Sequence, residues 1–340
     1  MKKILFLTRG KGIVDLFWSD EAAKLAAGYG FEVDIPAANG DILDYDFTAK
    51  LADCDGVITS WGSPMCNAGL LKSAPRLKVI GHSAGSVASV VDESTYEFPV
   101  KVTSSNPIMA EAVAEWSLLM TMLAARDFWK YAQVGGAVPL RWGNPDRDLR
   151  DITQMTLGIW GMGDTTRHLL KMLKVLRFKK ILVASQHSSA ESLAELGAEK
   201  ATFEEVFSQS DIIHCLVGVN AENLFKVGKE EFAMIKDGAT FINCGRARLV
   251  QEKPMIDALA TGRFTAILDV FHREPLADNS PLRRMPNVIL TPHNAGYTGR
   301  KLYIPFLLRQ FNQLFETGAM EYEITRSRYL TQTNESLGWK

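Results

Sequence analysis

The sequence predicts an α/β fold of two lobes, each a parallel β-sheet wrapped by helices. Three observations carry that prediction. Short apolar runs alternate with helix-like segments through the first third of the chain, a second alternating series starts near residue 156, and one long helical pattern, Pro107 to Trp129, lies between them. Strand–helix alternation implies parallel strands, because a parallel pair needs a crossover and the helix supplies it. A chain of 340 residues is also too long for one ordinary core, so two domains are expected.

The elements follow in order. "KILFLT", "FEVDIP", "DGVITS", "LKVIGHS" and "VKVTSS" read as the strands of the first series. Between the first two lies "SDEAAKLAAGYG", a helix that Ser19 or Asp20 caps and Gly28 or Gly30 stops. "TLGIWG", "KILVAS", "DIIHCL", "ATFINC", "TAILDV" and "NVILTP" form the second series. These strands end in polar or glycine residues, and ligands of open α/β sheets bind at such carboxyl ends. A last helix, about Gly299 to Thr317, comes after the second series has run out of strands, so it is assigned to the first lobe. The polar tail, residues 318 to 340, receives no assignment.

Composition narrows the function classes. Hydrophobic residues at 46% and charged residues at 23% are the proportions of a water-soluble globular protein. The formal net charge is −1, from 38 basic and 39 acidic residues, so no basic surplus invites nucleic acid or an anionic membrane. The apolar stretch after Met1-Lys2-Lys3 is too short for a signal-peptide core. No run reaches the ~18 uncharged apolar residues of a membrane helix; the longest, Ile108 to Leu123, carries Glu111 and Glu115. Cys54, Cys66, Cys215 and Cys244 are scattered without C-x-x-C spacing, which reads as free thiols in a reducing cytoplasm. No metal site is expected.

"TLGIWGMGDTTRHLL" nearly spells the dinucleotide fingerprint G-x-G-x-x-G, with Gly161 and Gly163 in place and Thr166 where the third glycine belongs. An apolar strand precedes it, a helix follows and "ILVAS" comes next, which is a βαβ unit. The first two glycines permit the tight turn and close approach to a pyrophosphate, whereas the third serves helix–strand packing. The cost of Thr166 therefore falls on packing. The helix N-terminus offers free N–H groups to phosphate, and Asp164 opposes this with a negative charge. An acid should stand at the end of the next strand, about 20 residues on, to bind the ribose hydroxyls. Ser185, Gln186 and His187 stand there instead. The expected cofactor is NAD or NADP, with NADP slightly favoured because nothing at Ser185 repels a 2′-phosphate.

Three later segments each place a functional residue just after a buried strand. "TFINCGRARLV" gives Arg246, "TAILDVFHREPL" gives Asp269, His272, Arg273 and Glu274, and "NVILTPHNAG" gives His293. In one parallel sheet they emerge on the same edge as the glycine turn. Arginine holds a carboxylate and polarises a neighbouring carbonyl. Histidine passes a proton at neutral pH, and a glutamate beside it fixes its tautomer and favours its protonated form. Singly, each has a bland alternative as surface charge or turn; together they make an active-site constellation.

These segments carry a family resemblance. "GIWGMG", "INCGRARLV", "ILDVFHREPL" and "LTPHNAG" resemble, in order and spacing, the signatures of the D-isomer-specific 2-hydroxyacid dehydrogenases. "APRLKVIGHSAG" and "NPIMAEAVAEWSLLMTM" are weaker matches, and the likeness spans roughly Ala74 to Gly318. The resemblance implies hydride transfer between NAD(P)H and a small 2-oxo acid or D-2-hydroxy acid. It implies that Arg246 binds the oxo acid, His293 is the acid/base and Glu274 supports it. The cofactor set is Gly161, Met162, Gly163, Asp164, Thr165, Ser185, Gln186, His187, Leu216, Cys244 and Asp269, the last beside the nicotinamide. The backbone of Ala84, Gly85 and Ser86 takes the substrate carboxylate with Arg246, and Trp61 shapes the pocket for its side chain. His82 and Ser83 face the same side.

The architecture implied is two Rossmann-like or flavodoxin-like lobes with the active site in the cleft between them. Residues 1–106 plus 295–340 form the substrate-binding domain, and residues 107–294 the dinucleotide-binding domain. The protein is expected to be a cytoplasmic homodimer, joined through the helix Glu111 to Ala125 and its following loop. This sequence departs from the family at Asp164 (usually arginine), Thr166, Ala247 (usually glycine), Leu216 (usually proline) and Val87 (usually aspartate). Two rival readings remain: a same-fold dehydrogenase of another small anion, and a dinucleotide-sensing protein that works through protein contacts.

Overall fold

The structure is a computed structural model and describes residues 1–42, 47–131 and 150–331. The chain divides into two compact units, Met1–Ala110 with Tyr297–Lys340, and Glu111–Gly296. The part of the expected dimer loop beyond residue 131 and the last nine residues of the tail lie outside the described residues.

The first unit holds five parallel strands: β1 (Lys2–Leu7), β2 (Phe31–Asp34), β3 (Gly56–Thr59), β4 (Val79–His82) and β5 (Lys101–Ser104). Their spatial order is β2-β1-β3-β4-β5, a flavodoxin-like doubly wound arrangement that reverses between β1 and β3. Successive side chains of a strand face opposite ways, and both faces are covered here. Ile4 and Phe6 enter one core with Phe17, Ala22 and Phe311, and Leu5 and Leu7 enter the other with Val57, Ile80 and Val102. The helix Asp20–Gly28 is capped by Ser19, whose hydroxyl accepts from the Ala22 amide. The last helix starts at Tyr303, later than expected, after a 3-10 turn at Arg300–Leu302. Two glycines seat it on this sheet: a Cβ at Gly81 would come within 2.8 Å of the Phe311 ring, and one at Gly56 within 3.2 Å.

The second unit holds seven parallel strands: β6 (Thr156–Trp160), β7 (Lys180–Ala184), β8 (Glu199–Ala201), β9 (Ile212–Cys215), β10 (Thr240–Asn243), β11 (Thr265–Leu268) and β12 (Val288–Leu290). Their order is β12-β11-β10-β9-β6-β7-β8, the doubly wound dinucleotide-binding arrangement with its switch point between β6 and β9. Strand β8, "EKA", was not expected. It is a short edge strand with no apolar run, so periodicity carries no signal for it.

The long helix spans Asn106–Ala125, so the division between the units falls within it. It stops short of Trp129: Asp127 adopts φ 45, and a four-residue helix follows at Phe128–Tyr131. At 20 residues and mean hydropathy 1.4 it is long and apolar enough to cross a membrane by length and composition. Its Ala114, Met120, Ala124 and Ala125 pack into the core of the second unit with Leu157, Ile159 and Leu170. All four cysteines are free and buried, and burial pushes the Cys66 thiol up to about 12, as expected for inert structural thiols.

Candidate active site

Strands β6, β9, β10, β11 and β12 are consecutive neighbours in the second sheet. Their carboxyl ends therefore line up the glycine turn, Leu216, Arg246, Asp269 and His293 along one edge. Gly161 stands at φ 110. Its amide donates to the Ala184 carbonyl at 3.0 Å, and a Cβ there would meet the Val217 backbone at 2.7 Å. Gly163 differs: it caps the helix Asp164–Leu173 with no side-chain hydrogen bond, and a Cβ on it would meet nothing within 4 Å. An uncapped helix N-terminus behind an open glycine is the cradle a pyrophosphate needs, so the turn fits a dinucleotide.

The departures at this turn have physical accounts. Thr166 is fully buried, and its hydroxyl donates to the Gly161 carbonyl at 3.1 Å. The threonine thus fastens the turn, where a loss of packing was expected. Asp164 sits in the helix's first turn, a position that favours an acid for the helix dipole and sets it in competition with a bound phosphate. Met162 and Thr165 are half-buried. At the end of β7, Ser185 donates to Ser188 Oγ at 3.1 Å and accepts from the His187 amide at 3.3 Å; Gln186 and His187 are exposed. The Leu216 amide donates to the Trp160 carbonyl at 2.9 Å. Cys244 is buried, with Sγ 3.3 Å from Ser117 Oγ. The Ser117 hydroxyl also donates to the Val113 carbonyl, so the thiol is the donor, and burial pushes it up to about 12.

Arg246 is aimed by a residue that the sequence reading missed. Asn243 closes the strand end: Nδ2 donates to the Arg246 carbonyl at 3.1 Å, and Oδ1 accepts from the Gly245 amide at 3.1 Å. A Cβ on Gly245 would lie 2.8 Å from the Cys215 carbonyl oxygen. Ala247 opens a 3-10 turn, Ala247–Leu249, and is not among the positive-φ residues, so alanine in place of glycine adds no strain.

Asp269 is buried and uses both carboxylate oxygens. Oδ1 accepts from Thr291 Oγ1 at 2.6 Å and from the Asn294 amide at 3.0 Å, and Oδ2 accepts from the Ala295 amide at 3.0 Å. Burial pushes its carboxyl up, against these hydrogen bonds and the charge of His293. The bracket holds His293 at φ 50. His293 Nδ1 lies 2.6 Å from Glu274 Oε2, and Glu274 Oε1 accepts from the Phe271 amide at 3.0 Å. Burial pushes the Glu274 carboxyl up, but the His293 and Phe271 hydrogen bonds, with the charges of His293 and Arg246, outweigh it and hold it below its ordinary value. Arg246, Glu274 and His293 thus form one electrostatic cluster, with Asp269 bracing it.

In the first unit, Thr59 pairs with His82 across β3 and β4, so Trp61 and Ala84 occupy equivalent positions just past adjacent strand ends. Trp61 is 41% exposed and stands edge-on to Phe17 at 5.2 Å. Ala84 and Gly85 are buried and Ser86 half-buried; a Cβ on Gly85 would collide with Met109 Cε. Val87 lies in the apolar core with Leu5 and Ile80, an environment that a carboxylate would not tolerate. His82 and Ser83 were expected to face the substrate but are buried. His82 binds Thr59 Oγ1 at 3.0 Å, and burial lowers it to about 4.

The comparisons with known proteins agree with this geometry. A family profile described as "D-isomer specific 2-hydroxyacid dehydrogenase, NAD binding domain" matches residues 116–295. A glyoxylate reductase of Aeropyrum pernix is 31% identical over 235 residues, which are 67% of this chain and 70% of that one. The chain belongs to the D-isomer-specific 2-hydroxyacid dehydrogenases. The fold is shared with solved members of the family. One is the NAD-complexed enzyme of Lactobacillus delbrueckii ssp. bulgaricus, with TM-score 0.74 and 18% identity over 94% of this chain and 99% of that one. Another, from Xanthobacter autotrophicus Py2 in complex with NADPH and MES, has TM-score 0.72 and 23% identity over 96% of this chain and 99% of that one. As a family member this dehydrogenase is an NAD(P)-dependent oxidoreductase of 2-oxo and 2-hydroxy acids.

Two outcomes follow from the geometry. Gly161→Ala should lower stability by about 1–3 kcal/mol through its strained φ, plus the clash at Val217, whereas Gly163→Ala should leave the melting temperature near wild type and weaken cofactor binding. Thermal unfolding and cofactor titration of both variants check this; equal melting temperatures would contradict it. Glu274, held below its ordinary 4.5, contributes stability that is present above that value and lost as pH falls through the lower folded value. The stability difference between wild type and Glu274→Gln should therefore close as pH falls below 4.5, as read from urea unfolding at several pH values.

Proposed function

We propose that this dehydrogenase reduces a small 2-oxo acid to the D-2-hydroxy acid with His293 as acid/base, Arg246 as substrate anchor and Glu274 as the partner of His293. The observation that supports this most is the 2.6 Å contact between His293 Nδ1 and Glu274. It commits Nδ1 to the carboxylate and leaves Nε2 as the nitrogen that gives a proton to the substrate oxygen. Arg246 holds the substrate carboxylate and polarises the carbonyl. When bound, the reduced nicotinamide supplies the hydride. Gly161, Met162, Gly163 and Thr165 would hold the cofactor's phosphates, Ser185, Gln186 and His187 its ribose, and Leu216, Cys244 and Asp269 would complete the site. Asp269 acts there mainly by holding His293 in place. The protein is a cytoplasmic homodimer in this reading; exposed Leu119 and Phe128 on the helices beyond residue 110 and four free thiols support it.

His293→Ala should lower kcat by ~10²–10⁴ with cofactor affinity unchanged, and Arg246→Ala should raise KM for the oxo acid and lower kcat. Loss of NAD(P)H absorbance checks this over a panel from glyoxylate, the acid in the name of the Aeropyrum relative, to branched and aromatic 2-oxo acids. Wild-type turnover in His293→Ala would refute the assignment.

NADPH is the favoured cofactor, with NADH a close competitor, because Ser185 carries no charge to repel a 2′-phosphate. Asp164 weakens either: a unit charge pair at ~5 Å and an effective dielectric of ~20–80 costs roughly 1–3 kcal/mol. Asp164→Arg should tighten both cofactors, up to about a hundredfold, and Ser185→Asp should swing preference toward NADH. Dissociation constants by fluorescence titration decide both points.

A further inference from the structure

His272 takes no part in the chemistry above, yet it sits between the two loops that carry it. Its ring stacks on Phe225, with centroids 6.0 Å apart and planes 8° apart. Phe225 stands at φ 54, and its amide donates to the Arg248 carbonyl at 2.7 Å. Gln251 Nε2 donates to the Phe225 carbonyl at 2.9 Å. The Val227 amide donates to the Leu249 carbonyl at 2.9 Å, and the Gln251 amide to the Val227 carbonyl at 2.8 Å. Residues 225–227 thus splint the segment that follows Arg246. Through its stack, His272 presses the loop holding Glu274 onto that splint.

The ring also carries an unmet demand. Nε2 of His272 is buried and has no hydrogen-bond partner among the described residues. Beside it lies a cavity of about 10 Å³, with Asn243 and Glu252 as its other polar residues and Ala247, Phe271 and further apolar residues as the rest of its lining. That is close to the room one water molecule needs, and such waters settle where two or more polar groups converge. Asn243 and Ala247 flank Arg246 on its turn; Phe271 supplies the amide that holds Glu274. Burial lowers His272, against the charge of Glu252 and backbone hydrogen bonds at Val250 and Ala247, and a neutral ring has one donor and one acceptor.

We propose that His272 is a positioning residue that ties the Arg246 turn to the Glu274 loop, by its stack on Phe225 and through one water in this cavity. The proposal rests on the roles assigned to Arg246 and Glu274. Arg246 and His293 must meet the same substrate within a fraction of an ångström, and such misplacement costs rate without removing a reacting group.

The test is a set of variants read by kcat and KM for the best 2-oxo acid of the panel, with cofactor affinity and melting temperature alongside. His272→Phe keeps an aromatic ring on Phe225 and deletes both nitrogens. It should lower kcat/KM by about tenfold to a hundredfold while cofactor affinity and melting temperature stay near wild type. His272→Gln, which restores a polar group at the cavity, should recover part of that loss. Phe225→Leu, at an exposed position, removes the stack that His272→Phe keeps, so it should lower kcat/KM as well and its effect should add to that of His272→Phe. The role is overturned if His272→Phe keeps wild-type kcat and KM. It is also overturned if losses across the variants simply follow melting temperature. Failure of the underlying enzyme reading looks different: wild type itself then reduces no 2-oxo acid, which would overturn both.

Discussion

The candidate active site depends on one buried carboxylate. Asp269 leaves the end of β11 and takes three hydrogen bonds from the segment that leaves β12, at Thr291, Asn294 and Ala295. That bracket is what keeps His293 in the left-handed region, which costs a non-glycine residue of order 1–3 kcal/mol unless its surroundings impose it. With the backbone so held, the imidazole meets Glu274, and Glu274 is itself anchored on the Phe271 amide two residues beyond Asp269. Remove the bracket and His293 loses its backbone geometry and its partner together. A buried carboxylate is a costly group, and here its three hydrogen bonds offset part of that cost and fix the position of His293.

A second constraint is crowding at the carboxyl edge. Five parallel strands end side by side, and their loops must leave without colliding. Gly161 is required by the backbone of Val217, and Gly245 by the carbonyl of Cys215. These glycines serve the neighbouring strand exit before they serve any ligand. Gly163, open on its outer side, is the glycine of the turn free to face phosphate. The three glycine positions of the fingerprint therefore answer to different demands, which is why threonine at the third, bonded back to Gly161, leaves the turn intact.

Much of this was legible in sequence. Eleven of the twelve strands stood out as apolar runs, because a strand covered on both faces must be apolar at nearly every position. β8 did not, since an edge strand of three residues buries little. Arg246, Glu274 and His293 were legible because each follows such a run. Asn243 carried a signal that went unread: an asparagine at a strand end, ahead of a glycine, is a turn former in its own right. The burial of His82 and Ser83 was not legible, because a polar residue at a strand end looks the same whether it faces a ligand or a neighbouring threonine.

The sequence by itself determined the two α/β series, the glycine turn and the residue types of the candidate site, all of which rest on local periodicity and on residue type. Only the tertiary structure decided the strand order, the partners of Asp269, the φ of His293 and the seat of Phe311 on Gly56 and Gly81. Those depend on contacts between residues far apart in the chain. Such contacts exist only once the strands have found their neighbours, and no local pattern encodes them.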